Sequence, residues 1–213
     1  MPAGYLSRIK FLVVEDNLFM RQIIRRVLKA LEAEEVRECS DGAEALKILQ
    51  TFVPDIVITD WEMTPINGIE LTKMLRTVND SFNPFIPIIM LTAHSEISRI
   101  VEARDAGVNE FVVKPISVKA LFARIQSVIE KPRQFVKIGN YFGPDRRRKK
   151  HSANTPERRS DLAKEAGDNK LTTTLPKELQ SGEPQMSQGE VNDFMNPDAE
   201  DTESDTALPD PDA

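Results

Sequence analysis

Four short stretches of the sequence place polar side chains at the ends of apolar runs. They are the pair Glu15-Asp16 after FLVV, Asp60 after IVIT, Thr92 after IIML and Lys114 after FVV. An acid at the end of a buried run costs free energy unless a cation or a hydrogen-bond donor compensates it. Carboxylates that converge on one site also raise one another's pKa values. A hard divalent cation such as Mg²⁺, which prefers carboxylate, carbonyl and water oxygens, removes that repulsion.

The same residue types are those needed to accept a phosphoryl group. A carboxylate oxygen of Asp60 would be the nucleophile, and negative charge would spread over the equatorial oxygens of the transferring phosphoryl. Mg²⁺ and the Lys114 ammonium would neutralise that charge, while the Thr92 hydroxyl would donate a hydrogen bond. This chemistry requires the four stretches to meet, which depends on the elements that position them.

Strands and helices are predicted to alternate along the chain. Continuous apolar runs indicate strands that are covered on both faces, at residues 9–14, 35–39, 56–59, 86–91 and 111–113. Apolar residues at helical spacing lie within residues 18–31, 43–49, 71–78, 97–101 and 121–129, and each set predicts a helix. Asn17 and Ser95 are the predicted helix caps, and Gly107 is the predicted left-handed stop.

This (βα)5 alternation predicts an α/β fold with a doubly wound, parallel, five-stranded sheet. Its crossovers would be right-handed, with helices on both faces. In such sheets ligands bind at the carboxyl ends of the strands. We therefore expect the polar residues that follow the strands to form one site.

The four motifs together resemble the receiver domain of response regulators, the flavodoxin-like (CheY-like) phosphoacceptor of two-component signalling. The resemblance is carried by VVEDN, VITDWEM, IIMLTAH and FVVKP, in this order at the predicted strand ends. It covers about residues 8–130, and we take residues 8–131 as the predicted receiver domain. Four motifs in the family's order are far more specific than any one of them.

The resemblance implies roles for individual residues around Asp60. Asp60 would be the phosphorylation site, and Lys114 and Thr92 would be the catalytic residues that contact the phosphoryl group. The cofactor would be Mg²⁺, with ligands from Glu15, Asp16, Asp60 and the backbone carbonyl of Glu62. Asp16 would be the principal acidic ligand, and Glu15 would bind mainly through water.

Further roles concern signal transmission and the lifetime of the phosphoryl group. Thr92 and Phe111 would be the switch pair, and the peptide bond before Pro115 would be cis. Glu62 and His94 would tune how long the phosphoryl group survives. Taken singly, Phe111 is also compatible with a plain core position, and His94 with an ordinary exposed one.

The sequence departs from the family's pattern in the loop after Asp60. The family usually has Met-Pro directly after the site, whereas Thr64 here stands between Met63 and Pro65. Gly68 still falls where the family has its glycine, so the loop length is unchanged. We expect altered rigidity of this loop with the chemistry retained.

By this resemblance the chain is a response regulator rather than an enzyme, with at most self-phosphorylation and self-dephosphorylation. It would take its phosphoryl group from a histidine kinase or a histidine phosphotransfer protein. It would then signal to a downstream protein through the surface of the fourth helix, fifth strand and fifth helix. That surface is also where phosphorylated members of the family often form homodimers.

A phosphatase of the haloacid-dehalogenase type would also use an aspartyl phosphate and Mg²⁺. Such enzymes carry Asp-x-Asp at the first strand, whereas Asp60 follows the third predicted strand and Glu62 occupies the position two beyond it. The sequence also shows no insertion for a cap domain. We therefore favour the receiver.

The chain beyond residue 131 has a different composition. Residues 132–150 form a predicted basic linker that contains YFGPDRRRKK, and residues 151–213 form a predicted disordered, acidic tail. The basic segment is compatible with a solvated linker, a protein-docking motif or a nucleic-acid contact. Nothing after it resembles a helix-turn-helix, so we do not expect sequence-specific nucleic-acid binding.

The remaining features indicate a cytoplasmic protein. The single cysteine, Cys39, cannot form an internal disulfide, which suits a reducing compartment. The N-terminal residues contain no signal-peptide apolar segment, and no apolar run is long enough to cross a membrane. The net charge of −6 argues against a general binder of polyanions.

Overall fold

A computed structural model of the chain describes residues 4–77, 83–93, 96–139, 141–146 and 186–195. Its centre is a parallel sheet of β1 (Lys10–Val14), β2 (Glu35–Cys39), β3 (Ile56–Asp60), β4 (Ile88–Thr92) and β5 (Glu110–Val113). The strand order is β2-β1-β3-β4-β5, and every neighbouring pair is parallel. This is the flavodoxin-like order, and it confirms the predicted fold.

Five helices connect and flank these strands. They are α1 (Leu18–Ala30), α2 (Gly42–Leu49), α3 (Gly68–Arg76), α4 (Ile97–Ala106) and α5 (Val118–Glu130). Asn17 caps α1 through its side chain, and Gly107 ends α4 at φ 100°, as predicted. The predicted cap Ser95 lies outside the described residues, and Glu96 occupies the N-cap position of α4 without a side-chain cap bond.

The strand β4 begins later than the sequence indicated. The apolar run predicted β4 from residue 86, but the strand starts at Ile88. Pro87 has no backbone N–H to donate and contributes only its carbonyl, which accepts from the N–H of Val57. The regular ladder therefore begins after the proline.

Apolar side chains cover both faces of the sheet. On one face, the strands pack against buried residues of α1 and α5. On the other face, they pack against α2, α3 and α4. All residues of β3 and β4 are buried, as expected for central strands of a parallel sheet. Burial of this kind fixes the strand ends relative to one another.

A two-stranded antiparallel hairpin follows α5, within the segment interpreted as a linker. It consists of β6 (Phe135–Ile138) and β7 (Tyr141–Pro144). Phe135, Phe142 and Phe85 form an aromatic trio with ring centroids 5.3–5.6 Å apart. The aromatic contacts attach the hairpin to the loop that precedes β4.

Arg76 is buried at the junction between α3, α4 and the hairpin. Its guanidinium donates to the carbonyls of Gly107 and Pro84 and to Asn109 Oδ1, at 2.9–3.0 Å. The Phe135 ring lies 5.0 Å from the guanidinium carbon. Burial lowers the pKa of Arg76 to about 9. The neutral acceptors satisfy its donors, which is what makes burial of this side chain tolerable.

Most of the predicted tail, residues 151–213, lies outside the described residues. Its described part contains α6 (Gln188–Met195), which contacts β5. Among the described residues, no helix combines the length and the apolar character that a membrane span requires. Cys39 is buried, and burial raises the pKa of its thiol to about 12.

Candidate functional site

The carboxyl ends of four strands meet at one edge of the sheet. Asp60 and Thr92 are the last residues of β3 and β4, and Lys114 directly follows β5. Glu15 directly follows β1 and continues its ladder by donating its N–H to the Cys39 carbonyl at 3.1 Å. The structure therefore brings together the polar residues that the sequence placed at the strand ends.

Three acids form a cluster at this edge. Glu15, Asp16 and Asp60 each offer one carboxylate oxygen, and these oxygens all lie within 4.8 Å of one another. Glu15 and Asp60 are buried, whereas Asp16 is exposed. The cluster is thus open to solvent on the Asp16 side and closed by the sheet on the other.

Lys114 bridges the two buried acids. Its ammonium nitrogen lies 2.9 Å from Asp60 Oδ1 and 3.0 Å from Glu15 Oε2. The backbone N–H of Lys114 donates to the Thr92 carbonyl at 2.7 Å, which fixes the start of this loop to β4. The peptide bond between Lys114 and Pro115 is cis.

Burial and charge act in opposite directions on the titration of these groups. Desolvation raises the pKa of Asp60 and of Glu15, although hydrogen bonds from Lys114 act to lower both. Burial alone would lower the pKa of Lys114, but its bonds to the two carboxylates outweigh that effect and raise it. One ammonium therefore compensates only part of the negative charge, and the cluster favours a further cation.

The donor set fits Mg²⁺. Carboxylate oxygens that converge within a few ångströms are hard ligands of the kind this ion prefers, and the exposed side leaves room for the waters it retains. Among the residues that the structure describes, this cluster contains no sulfur or imidazole ligand, the types that suit softer metals. Glu62, whose backbone carbonyl is the expected further ligand, is exposed two residues beyond Asp60.

Replacing Lys114 with glutamine is expected to destabilise the metal-free protein more at pH 8 than at pH 5. Without the ammonium, the already raised pKa values of Glu15 and Asp60 rise further. The folded state is then penalised where both acids are ionised, and the penalty fades as they take up protons at lower pH. We expect a loss of about 2 kcal/mol at pH 8, less than for a fully buried pair because water reaches this site.

Urea unfolding with EDTA at both pH values measures this difference. Lys10→Gln is the matched control, because Lys10 pairs with Glu35 at 3.6 Å in a largely exposed position. It is expected to change the free energy of unfolding by less than about 1 kcal/mol. Equal losses for Lys114→Gln at the two pH values would contradict the electrostatic account.

The loop after Asp60 is held close to the start of α3 by Gly68. The Gly68 N–H donates to the Trp61 carbonyl at 3.0 Å, and a Cβ on Gly68 would overlap the backbone carbonyl oxygen of Asp60. Only glycine permits this approach. Within the loop, the peptide bond between Thr64 and Pro65 is also cis.

Thr92 and Phe111, the expected switch pair, are both buried. The Phe111 ring packs against Trp61 in an edge-to-face arrangement, with centroids 6.0 Å apart. Trp61 directly follows Asp60 and also lies under the guanidinium of Arg99 at 5.5 Å. Sequence reasoning did not single out Trp61, although its place beside Asp60 was a usable signal. His94 lies outside the described residues.

Comparisons with known proteins agree with one another. The family model described as the response regulator receiver domain matches residues 11–126. The chemotaxis protein CheY-3 of Vibrio cholerae is 35% identical over 131 residues, which is 62% of this chain and 99% of that protein. The chemotaxis protein CheY of Pseudomonas aeruginosa is 36% identical over 122 residues, covering 57% of this chain and 97% of its own length.

Solved structures show the same likeness. The chemotaxis response regulator CheY4 of Vibrio cholerae matches with a TM-score of 0.52 and 31% identity, over 56% of this chain and 98% of its own. The receiver domain of the Francisella response regulator 1452 matches with a TM-score of 0.53 and 27% identity, over 59% of this chain and all of its own.

Proposed function

We propose that this chain accepts a phosphoryl group on Asp60. It belongs to the family of response regulator receiver domains, which serve two-component signalling. The donor would be a histidine kinase or a histidine phosphotransfer protein. The observation that carries this proposal is the placement of Asp60. Its carboxylate lies against Lys114 and within 4.8 Å of the other acidic oxygens, at the carboxyl end of the sheet.

The transfer exchanges one bond to phosphorus for another. A carboxylate oxygen of Asp60 forms the new O–P bond as the N–P bond of a phosphohistidine breaks, and the imidazole leaves with the electron pair. Lys114, 2.9 Å from Asp60 Oδ1, is placed to pair with the phosphoryl oxygens. Thr92, at the end of the adjacent strand, supplies the hydroxyl that hydrogen-bonds them.

Mg²⁺ would be held by Glu15, Asp16, Asp60 and the backbone carbonyl of Glu62. When bound, it supplies positive charge that offsets the charge on the transferring group. The raised pKa values of Glu15 and Asp60 have a consequence here. Because the ion requires ionised carboxylates, its binding weakens as the pH falls toward those values.

Signalling would follow from a rearrangement of Thr92 and Phe111 when Asp60 carries the phosphoryl group. Movement of Phe111 would change the surface formed by α4, β5 and α5, where a downstream protein or a second copy of the chain would bind. Glu62 and His94 would set the lifetime of the phosphoryl group. A chain of this kind is a signalling module whose own chemistry is confined to self-phosphorylation and self-dephosphorylation.

The basic segment gives no independent support for a nucleic-acid function. Within the cationic run of residues 146–150, Arg146 is the residue that the structure describes. It contacts the Asp105 carboxylate and lies 3.6 Å from the centroid of the Tyr141 ring. Residues 147–150 lie outside the described residues. The observations on the described residues therefore favour the phosphoacceptor.

Incubation of the full chain with acetyl phosphate and Mg²⁺, followed by intact-mass spectrometry, tests the proposal. We expect a gain of one phosphoryl group, prevented by EDTA and reversed by hydroxylamine, which cleaves acyl phosphates. A second incubation with a phosphorylated histidine phosphotransfer protein tests a protein donor. Absence of any gain from both donors, with Mg²⁺ present, would refute the proposal.

A further inference from the structure

The edge strand β5 is in contact with a segment from the chain's own C-terminal region. The outward backbone groups of an edge strand attract further strands and partners unless something covers them. At β5 these groups include the Phe111 carbonyl and the Val113 N–H. Both are engaged by one side chain, that of Gln188.

The Gln188 amide acts as a substitute for a neighbouring strand. Its Nε2 donates to the Phe111 carbonyl at 3.2 Å, and its Oε1 accepts from the Val113 N–H. A primary amide offers a donor and an acceptor side by side. This matches a carbonyl and an N–H two residues apart on the same side of a strand. The contact is therefore specific for the strand edge.

Apolar packing completes the contact. Val191 is fully buried in the cluster that contains Phe111 of β5 and Ile100 and Ala103 of α4, and Met186 packs against the same cluster. Val191 lies three residues after Gln188, so both side chains lie on one face of α6. Trp61 belongs to this cluster as well, which joins the covered face to the residue beside Asp60.

The start of α6 is defined by its own sequence. Ser187 and Glu190 form a capping box, in which the Ser187 N–H donates to the Glu190 carboxylate at 2.7 Å and the Ser187 hydroxyl accepts from the Glu190 N–H at 3.3 Å. The hydrogen bond from the Ser187 N–H, together with a side-chain hydrogen bond from Ser187, lowers the pKa of Glu190. A capping box fixes where a short helix begins, and thereby which residues face β5.

We infer that residues 186–195 are a tethered ligand that closes the face formed by β5 and α4. The face accepts a short helix with a side-chain amide for the strand edge and a branched apolar residue three positions later. The segment belongs to the same chain, and tethering therefore gives it a high local concentration near the face. Even a weakly bound segment then occupies the face. A partner of this face must displace α6. The inference does not rest on the proposed phosphorylation of Asp60, because the contacts that support it are those of the unphosphorylated chain.

Hydrogen exchange of the full chain, without a phosphodonor, tests the closure. Val191→Asp places a charge in the buried position and is expected to speed exchange of the Val113 amide by about tenfold or more. It is also expected to shift the fluorescence of Trp61, the only tryptophan, to longer wavelength. Gln188→Ala, which removes the two edge contacts and leaves the apolar packing, is expected to act in the same direction more weakly.

Gly189→Asp is the matched control, because it adds the same acidic side chain at an exposed position of α6. A Cβ at Gly189 meets only Ser187 Oγ, at 3.8 Å, which is ordinary contact. Exchange at Val113 and Trp61 fluorescence should stay at the wild-type values. Unchanged exchange in both Val191→Asp and Gln188→Ala would overturn the inference.

A synthetic peptide of residues 184–197 tests the open face directly. It is expected to bind the full chain carrying Val191→Asp about tenfold more tightly than the wild type, and to restore protection of the Val113 amide. Equal affinity for the two chains would mean that α6 does not occupy the face. Absence of binding to the Val191→Asp chain at millimolar peptide would also refute the inference.

Discussion

Asp60→Asn is expected to abolish the gain of a phosphoryl group from acetyl phosphate while preserving the fold. The amide keeps the size of the carboxylate but has no anionic oxygen to attack phosphorus. It also removes one of the three oxygens of the acidic cluster, so Mg²⁺ affinity should fall by about tenfold or more. Intact-mass spectrometry measures the first effect, and titration calorimetry measures the second.

The stability of this variant should stay close to that of the wild type. Burial raises the pKa of Asp60, so the ionised carboxylate is itself unfavourable in the metal-free fold, despite its contact with Lys114. The substitution removes the cost of burying this carboxylate together with its favourable contact to Lys114. The net change in the free energy of unfolding is expected to be about 1 kcal/mol or less. A loss of phosphorylation in a folded variant then reflects chemistry rather than unfolding.

Asp55→Asn is the matched control for this experiment. Asp55 precedes β3, at the opposite end from Asp60, and accepts a hydrogen bond from the Lys10 N–H at 2.8 Å. An asparagine can make the same bond. The Asp55→Asn chain should therefore gain the phosphoryl group like the wild type. A gain in Asp60→Asn, or a loss in Asp55→Asn, would place the phosphoacceptor elsewhere.

Gly68→Ala is expected to have the largest effect on stability, a loss of about 3 kcal/mol in the free energy of unfolding. A Cβ at this position overlaps the backbone oxygen of Asp60 and lies 3.2 Å from the Met90 side chain. Backbone cannot yield as the end of a flexible side chain does. Either α3 moves away from the sheet or the end of β3 is displaced.

The same displacement should impair the site. The Asp60 carboxylate would move relative to Lys114, whose bonds are 2.9 and 3.0 Å long, and the rate of phosphoryl gain should fall. Urea unfolding and timed mass spectrometry measure the two effects. Gly189→Ala is the control, since its Cβ makes only an ordinary contact, with Ser187 Oγ at 3.8 Å. A Gly68→Ala chain within about 0.5 kcal/mol of the wild type would contradict the steric argument.

The sequence was sufficient to predict that the polar residues at the strand ends converge, because the rule that brings them together is local and general. Each of the residues Glu15, Asp60, Thr92 and Lys114 lies at the end of an apolar run, and the carboxyl ends of parallel strands meet at one edge. Once alternation indicated a parallel sheet, their convergence followed. The helix caps Asn17 and Gly107 were also predicted from the sequence, because each acts on its own helix.

Contacts between segments far apart in the chain could not be predicted from the sequence in this way. The hairpin depends on Phe85 meeting Phe135 and Phe142, and on Arg76 finding carbonyl acceptors in other elements. None of these residues signals its partner by type or spacing. From its composition, this polar segment with a few aromatic residues was therefore interpreted as a linker.

For α6, the sequence contained a signal that composition obscured. Ser187-Gln-Gly-Glu190 is a capping-box pattern, but it lies in a region whose average composition predicts disorder. An eight-residue helix is too short to be stable alone, and its burial against β5 is a tertiary contact. The local pattern predicts where the helix begins, but it does not predict the tertiary contacts that stabilise the helix.

The sequence by itself determined the parallel sheet, the order of its elements and the group of residues at its carboxyl edge. Periodicity and chain direction fix these features without reference to particular partners. Only the tertiary structure decided that Lys114 bridges both Glu15 and Asp60, that α3 approaches β3 closely enough to require glycine, and that Gln188 covers the edge of β5. These depend on distances of a few ångströms between segments far apart in the chain, which side-chain packing sets and no local pattern encodes.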